Sequence, residues 1–385
     1  MRDAETRSDP VATPFAAARR VDGVDAARGL ALVGMFVAHL APDASAGTLE
    51  ATLLSVADER PRLLFALAAG IGLGLLTGGE RPTSQGDRGE LRRQLTVRAV
   101  LLLLLGLLLM YILQPLVSVI LDEYGIAFLL LLPLVFLPRP LLLGLGAGLL
   151  VIMPGLALAL SATEPVRDAR SGRTFLLVDW FLSGSYPVLV WVPVMLVGLA
   201  FARYGLRRPS TTAIAGLVGL AAVVAYLPGN ALLDMGSGTL ADAVGTSLVT
   251  FANVGAGLAL TAALLAVTQW GTDATRRAAS IALSPLSAMG SMPLTVYTAH
   301  VVVISQAIRI EDGVPEDDSW TLLALTILGS MAFALAWRRW VGRGPLEALF
   351  RWVSGRDRIR RRSEPGGMRT WEDSDGSETN GEPTR

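Results

Sequence analysis

"RAVLLLLLGLLLMYIL", residues 98 to 113, opens on one arginine and then carries no formal charge for fifteen residues. Taken back to Arg92, it forms an apolar segment long enough to cross a bilayer, which needs roughly 20 mostly apolar residues. Backbone polar groups in hydrocarbon must be satisfied within the segment, so such a span is a helix. The same test finds nine more segments, giving spans near 24–42, 60–79, 92–113, 117–137, 139–160, 184–202, 210–228, 245–269, 285–309 and 320–341. Composition agrees: of 385 residues, 52% are hydrophobic and 17% charged, where soluble domains carry about 25% charged residues. Mean hydropathy is +0.51. The expected fold is all-α, a polytopic membrane helical bundle of about ten transmembrane helices.

Arginine placement orients the bundle, because loops on the cytoplasmic side are enriched in basic residues. With the N-terminus inside, only Arg60, Arg62, Arg167, Arg170, Arg173 and Arg309 lie outside. All the others fall inside, so both termini are expected in the cytoplasm of a multi-pass plasma-membrane protein. Residues 1–20 read as a disordered cytoplasmic lead, 21–345 as the membrane domain, and 346–385 as a basic-then-acidic disordered tail. The basic block of that tail suits anionic headgroups. No cleavable leader is expected, since the first apolar run begins only after Arg28.

Several chemistries are set aside. The chain has no cysteine and no lysine, so thiolate sites and lysine catalysis are excluded. Zero net charge without a basic aromatic face argues against nucleic acid. Two histidines make a multi-histidine metal centre unexpected. No phosphate loop and no nucleophile elbow is present.

The remaining candidates are ionisable groups inside spans, which are costly there and mark protein-facing or water-facing positions. In "DAARGLALVGMFVAHL" (25–40), Asp25, Arg28, Leu32, Met35 and His39 recur at helical spacing and share one face. A charged pair stands at one end of this stripe, with His39 about 16 Å beyond Arg28 along the axis. The second histidine, His300, follows Tyr297 by three residues in "GSMPLTVYTAH" (290–300) and is expected at a similar depth. A neutral imidazole is suited to accept a proton near neutral pH. The plainer readings are an interfacial ion pair for Asp25 and Arg28, and hydrogen-bonded structural histidines. Arg60 and Arg62 could hold an anionic group or pair with Asp58 and Glu59. Arg92, Arg93 and Arg98 could contact phosphates or simply satisfy the charge bias. Gly70, Gly72 and Gly74 read as a helix-packing surface.

Five stretches in order resemble the YeiB-like and heparan-α-glucosaminide N-acetyltransferase-like membrane proteins, of the transmembrane acyltransferase superfamily. They are "DAARGLALVGMFVAHL" (25–40), "RPRLLFALAAGIGLGL" (60–75), "LSGSYPVLVWVPVMLVGLAFAR" (182–203), "GSMPLTVYTAH" (290–300) and "GPLEALFRW" (344–352). The resemblance implies transfer of an acetyl group from cytosolic acetyl-CoA to a sugar-type hydroxyl or amine on the far side. In the heparan branch the catalytic histidine lies in the loop after the first helix, whereas this chain has no histidine between residues 40 and 299. At the aligned position that branch has asparagine where His39 stands. His39 is therefore the substitute base, with His300 and Tyr297 completing a catalytic group. Asp25, Arg28, Arg60 and Arg62 are assigned to substrate, and Arg92, Arg93 and Arg98 to acyl-CoA. The expected partners are the bilayer, acyl-CoA and a small-molecule or glycan acceptor. A proton-coupled permease for a small amphiphile, using the histidines and Asp25 as relays, and a non-enzymatic membrane protein stand as the alternatives.

Overall fold

The computed structural model describes residues 20–355 apart from 46, 58, 234–237 and 312–313. The chain begins with α1 (Asp22–Leu40), α2 (Leu49–Val56), α3 (Arg60–Leu76) and α4 (Arg88–Leu108), which continues through a π turn to Leu113. Next come α5 (Leu121–Leu131), α6 (Arg139–Ser161), α7 (Glu164–Arg170) and α8 (Phe175–Val178). Three long helices follow: α9 (Val188–Tyr204), α10 (Pro209–Leu233) and α11 (Thr239–Gln269). Then α12 (Asp273–Ala282) and α13 (Ser284–Gly290) lead into α14 (Pro293–Ala307). A small antiparallel hairpin, β1 (Arg309–Glu311) with β2 (Val314–Glu316), precedes α15 (Trp320–Trp340) and α16 (Pro345–Val353).

The architecture is an all-α membrane bundle. Among the described residues six helices are long and apolar enough to cross a bilayer, and eight if two bent pairs each count as one span. One pair joins the end of α8 to α9 at 46°; the other joins α13 to α14 at 87°. This is fewer than the ten expected. The segments expected at 60–79 and 117–137 form helices of only 17 and 11 residues, α3 and α5. Packing explains how α3 can be short: it is buried almost throughout, so protein rather than lipid covers it. The outermost helices show the opposite pattern. Ile214, Leu217, Val218, Leu220 and Val224 of α10 are exposed, as are Leu325 and Leu328 of α15. An apolar belt of that extent is stable only against lipid or another apolar surface.

Glycines let the inner helices approach at backbone distance. A side chain at Gly29 would collide with the backbone of Leu286 in α13, one at Gly70 with that of Met195 in α9, and one at Gly198 with that of Leu67 in α3. Such small-residue contacts replace the hydrophobic driving force that is missing inside a bilayer. At one end of the bundle Arg203 of α9 is buried and holds three segments together. It donates to Thr77 O at 3.2 Å, Gly79 O at 2.7 Å, Thr77 Oγ1 at 2.6 Å and Val135 O at 2.8 Å. Two of these acceptors, on Thr77, lie at the C-cap of α3, where the helix dipole favours a cation.

The expected lead at 1–20 lies outside the described residues except for Arg20, and so does the tail from 356. The first residues of the expected tail are described. Residues 345–353 form α16, which buries Phe350 and binds Glu347 to the start of α14. Glu347 accepts from Leu294 N at 2.7 Å, Thr295 N at 3.2 Å and Thr295 Oγ1 at 2.6 Å.

Candidate active site

The two histidines, 261 residues apart in sequence, meet. His39 Nδ1 lies 3.2 Å from His300 Nε2, and the rings stack 5.4 Å apart. His300 Nδ1 lies 2.6 Å from the carbonyl oxygen of Tyr297. A carbonyl can only accept, so Nδ1 of His300 carries the hydrogen and, in the neutral ring, its Nε2 is an acceptor. His39 Nδ1–H therefore donates to His300, leaving the lone pair on His39 Nε2 uncommitted. His300 is fully buried against Phe36 and Tyr297, while His39 is half-buried at the end of α1. The backbone around His39 is fixed too, since Ser319 N–H donates to Leu40 O at 2.8 Å while Ser319 Oγ caps α15.

A cavity of about 310 Å³ opens at the opposite end of α1. Arg20, Asp25, Arg28, Arg98 and Glu347 line its polar part, and Phe65, Phe128, Tyr124 and Tyr297 its deep part. Along α14 the lining runs Pro293, Leu294, Tyr297, and His300 stands one turn further, behind the Tyr297 ring. Arg28 donates to Asp25 Oδ1 at 3.1 Å and to Ala68 O at 3.0 Å, and Gly72 leaves room for its guanidinium. Arg98 has a different environment: its Nε is buried without a hydrogen-bond partner among the described residues, in the same cavity as Glu347. Arg92 and Arg93 do not line the cavity. Arg92 lies over the Phe136 ring at 5.3 Å and Arg93 is paired with Glu90 at 2.5 Å.

A second cavity, about 840 Å³, opens at the other end, between α3, α6, α9, α10 and α11. Arg60, Arg62 and Arg170 stand on its rim, with Glu59 bonded to Arg62 at 2.5 Å. Asp58, the other partner expected for these arginines, lies outside the described residues. Helix α3 serves both cavities: Arg60, Arg62 and Leu63 line this one, and Phe65 to Leu76 contribute to the other. Between them stands an edge-to-face contact, 5.8 Å between centroids, of Tyr124 from the first cavity and Trp191 from the second.

A family model described as "Heparan-alpha-glucosaminide N-acetyltransferase, catalytic" matches residues 20–233. The chain belongs to this family. A second model, described as a protein of unknown function (DUF418), matches residues 200–357. No curated protein matches the chain. The N-acetyltransferase match contains His39, both arginine groups and the α5 acids, whereas Tyr297 and His300 fall in the second match. The dyad thus joins a residue from each. As a member of this membrane acyltransferase family, the chain also carries polar groups that sequence reasoning passed over. Asp122 and Glu123 are buried at the start of α5; Asp122 Oδ2 accepts from Trp180 Nε1 at 2.8 Å. Asp122 Oδ1, Glu123 Oε2 and the Tyr124 hydroxyl are buried with no hydrogen-bond partner among the described residues. The one available signal was "DEY" (122–124) beside a leucine-rich segment, and it reads equally as a span boundary.

Proposed function

We propose that the protein transfers an acyl group from acyl-CoA, entering at the arginine-lined mouth, to a hydroxyl or amine acceptor at the other end of the bundle. One observation carries this reading: Tyr297 walls the arginine-lined cavity and, through its carbonyl, fixes the His300 that orients His39. Arg20, Arg28 and Arg98 would face the phosphates of the donor, acetyl-CoA by family analogy, and the narrow cavity would take its acyl-bearing arm. Asp25 and Arg28 thereby belong with the donor rather than the acceptor, leaving Arg60 and Arg62 on the acceptor side.

The acceptor oxygen or nitrogen attacks the thioester carbonyl carbon, and His39 Nε2 takes its proton. The C–S bond then breaks, and the proton passes from His39 to the departing thiolate, giving acylated acceptor and free CoA. His300 has its N–H committed to Tyr297 O, so the hydrogen bond to the developing oxyanion would come from a cavity tyrosine hydroxyl, Tyr124 or Tyr297, the latter accepting from Ile120 N–H at 3.0 Å with its own hydrogen left to donate. A multi-pass plasma-membrane bundle with both termini in the cytoplasm suits this direction. Arginines concentrate at the donor end, and helices occupy all ten expected segments, counting short α3 and α5.

Purified protein in nanodiscs supplies the test. Losing a hydrogen bond to a charged group costs about 1.5–3 kcal/mol, so Arg98→Ala should weaken acyl-CoA binding roughly 10- to 150-fold by calorimetry. His39→Ala should bind acyl-CoA normally yet release thiol at least about a hundredfold more slowly. Thiol release at the native rate from His39→Ala would remove the base. No binding of acyl-CoA, together with proton-driven uptake of a solute, would replace transfer with transport.

A further inference from the structure

The last helix, α16, has two working faces. Inward, it buries Phe350 and bonds Glu347 to the start of α14. Outward, Pro345, Ala348, Leu349, Trp352 and Val353 are all exposed. Their spacing of 3, 1, 3 and 1 residues draws one apolar stripe along the helix, opposite Glu347. Trp352 is 67% exposed, and Trp340 and Val341, at the end of α15, are 80% and 64% exposed. The turn between the two helices is fixed, because Trp337 Nε1 donates to Arg343 O at 2.6 Å and Gly342 takes a φ of 103°.

What covers this stripe follows from its surroundings. It continues the chain directly from α15, whose exposed Leu325, Leu328 and Phe333 belong to the apolar outer belt. Charge around it has one sign: residues 338–355 carry Arg338, Arg339, Arg343 and Arg351 against Glu347 alone, and that carboxylate is engaged by α14. The sequence then adds Arg356, Arg358, Arg360, Arg361 and Arg362 with one aspartate, Asp357. A short helix with an apolar aromatic stripe and arginines about it suits the headgroup zone of a bilayer, where tryptophan also collects. A second copy of the chain would bring the same arginines against these. At the same end of the bundle, α12 buries nothing and exposes Ala274, Ala278, Ile281 and Ala282 at helical spacing. Gly23 of α1, packed on Leu264 and Leu265 just before α12, fixes that end as the arginine-lined mouth.

We propose that α16 docks on anionic phospholipid headgroups of the leaflet at the arginine-lined mouth, and that this contact holds Glu347 in the cavity wall. The stripe and Glu347 occupy opposite faces of one nine-residue helix, so lifting the first displaces the second. The docking stands apart from the acyl-transfer reading; the effect on the donor rests on it.

The chain has no cysteine, so single labels can be placed cleanly. Ala348→Cys, Leu349→Cys, Trp352→Cys and Val353→Cys each carry a nitroxide in nanodiscs of phosphatidylcholine, with or without phosphatidylglycerol. Paramagnetic resonance compares collisions with oxygen, which enters lipid, and with a water-soluble nickel chelate. The oxygen-to-nickel ratio should rise about threefold or more with phosphatidylglycerol, and Arg338→Gln with Arg339→Gln should erase that rise. Folding of each variant is checked by its melting temperature, and the unlabelled protein should melt higher with phosphatidylglycerol than without it. Labels open to nickel, shielded from both reagents by a second copy or the chain's own tail, or indifferent to phosphatidylglycerol would overturn the docking. Leu349→Glu with Trp352→Glu should expose a label at 353 to nickel and weaken acyl-CoA binding about threefold or more. Native affinity with that label exposed would overturn the link to Glu347. The labels need no acyl-CoA, so a protein that binds none loses the acyl-transfer reading while they still decide the docking.

Discussion

Replacing His300 tests the directionality of the histidine pair. The hydrogen bond chain Tyr297 O, His300, His39 leaves the lone pair on His39 Nε2. In His300→Ala the His39 Nδ1–H loses its acceptor, and the ring is free to rotate and to shift its hydrogen to Nε2. One orienting hydrogen bond is worth about 0.5–1.5 kcal/mol, so turnover should fall roughly 2- to 15-fold through that bond alone. Removing the base itself is more severe: His39→Ala should cost about a hundred- to ten-thousand-fold in turnover. His300→Gln is the diagnostic variant, because its amide oxygen can accept from His39 and restore part of the loss. Since His300 acts only through His39, the double variant should be no slower than His39→Ala. The assay is thiol release from acyl-CoA by purified protein, with kcat and KM separated; the loss should appear in kcat. Multiplying effects in the double variant, or a His300→Gln no better than His300→Ala, would refute the orienting role.

Two further perturbations address the scaffold. Arg203→Leu removes a donor serving four oxygens from α3, the loop after it and the segment after α5. It should destabilise the solubilised protein by about 3 kcal/mol, and an unchanged melting temperature would show that these oxygens find other donors. Gly70→Ala drives a methyl group into the Met195 backbone and should cost about 1–3 kcal/mol by the same measurement. Equal stability there would mean that α3 and α9 separate without penalty.

The first helix was the most legible part of the chain. Its stripe from Asp25 to His39 depends only on helical periodicity, and the ion pair and buried face follow from it. The convergence of His39 and His300 was legible as depth but not as contact, because lateral position in a bundle is set by packing between distant segments. Local pattern misled where a span is not one straight helix. The segment expected at 285–309 bends by 87° at Ser291 and Met292, just before Pro293, where proline cannot continue the preceding turn's bonding. Asp122 and Glu123 escaped notice because their burial comes from packing against Gly106 of α4 and from Trp180, just after α8, which local pattern does not show. Arg98 could not be told from Arg92 and Arg93 by composition. Helix phase separates them, turning one toward the cavity and two away.

The contact of Tyr124 with Trp191 also bears on the membrane's electrical insulation. Two hollows reach into the bundle from opposite ends, and a continuous water column between them would short-circuit any ion gradient. The linings of the two hollows meet at these two aromatic rings, which form a barrier there. An ion meeting that barrier must shed its hydration, at a cost that keeps the bilayer sealed to charge.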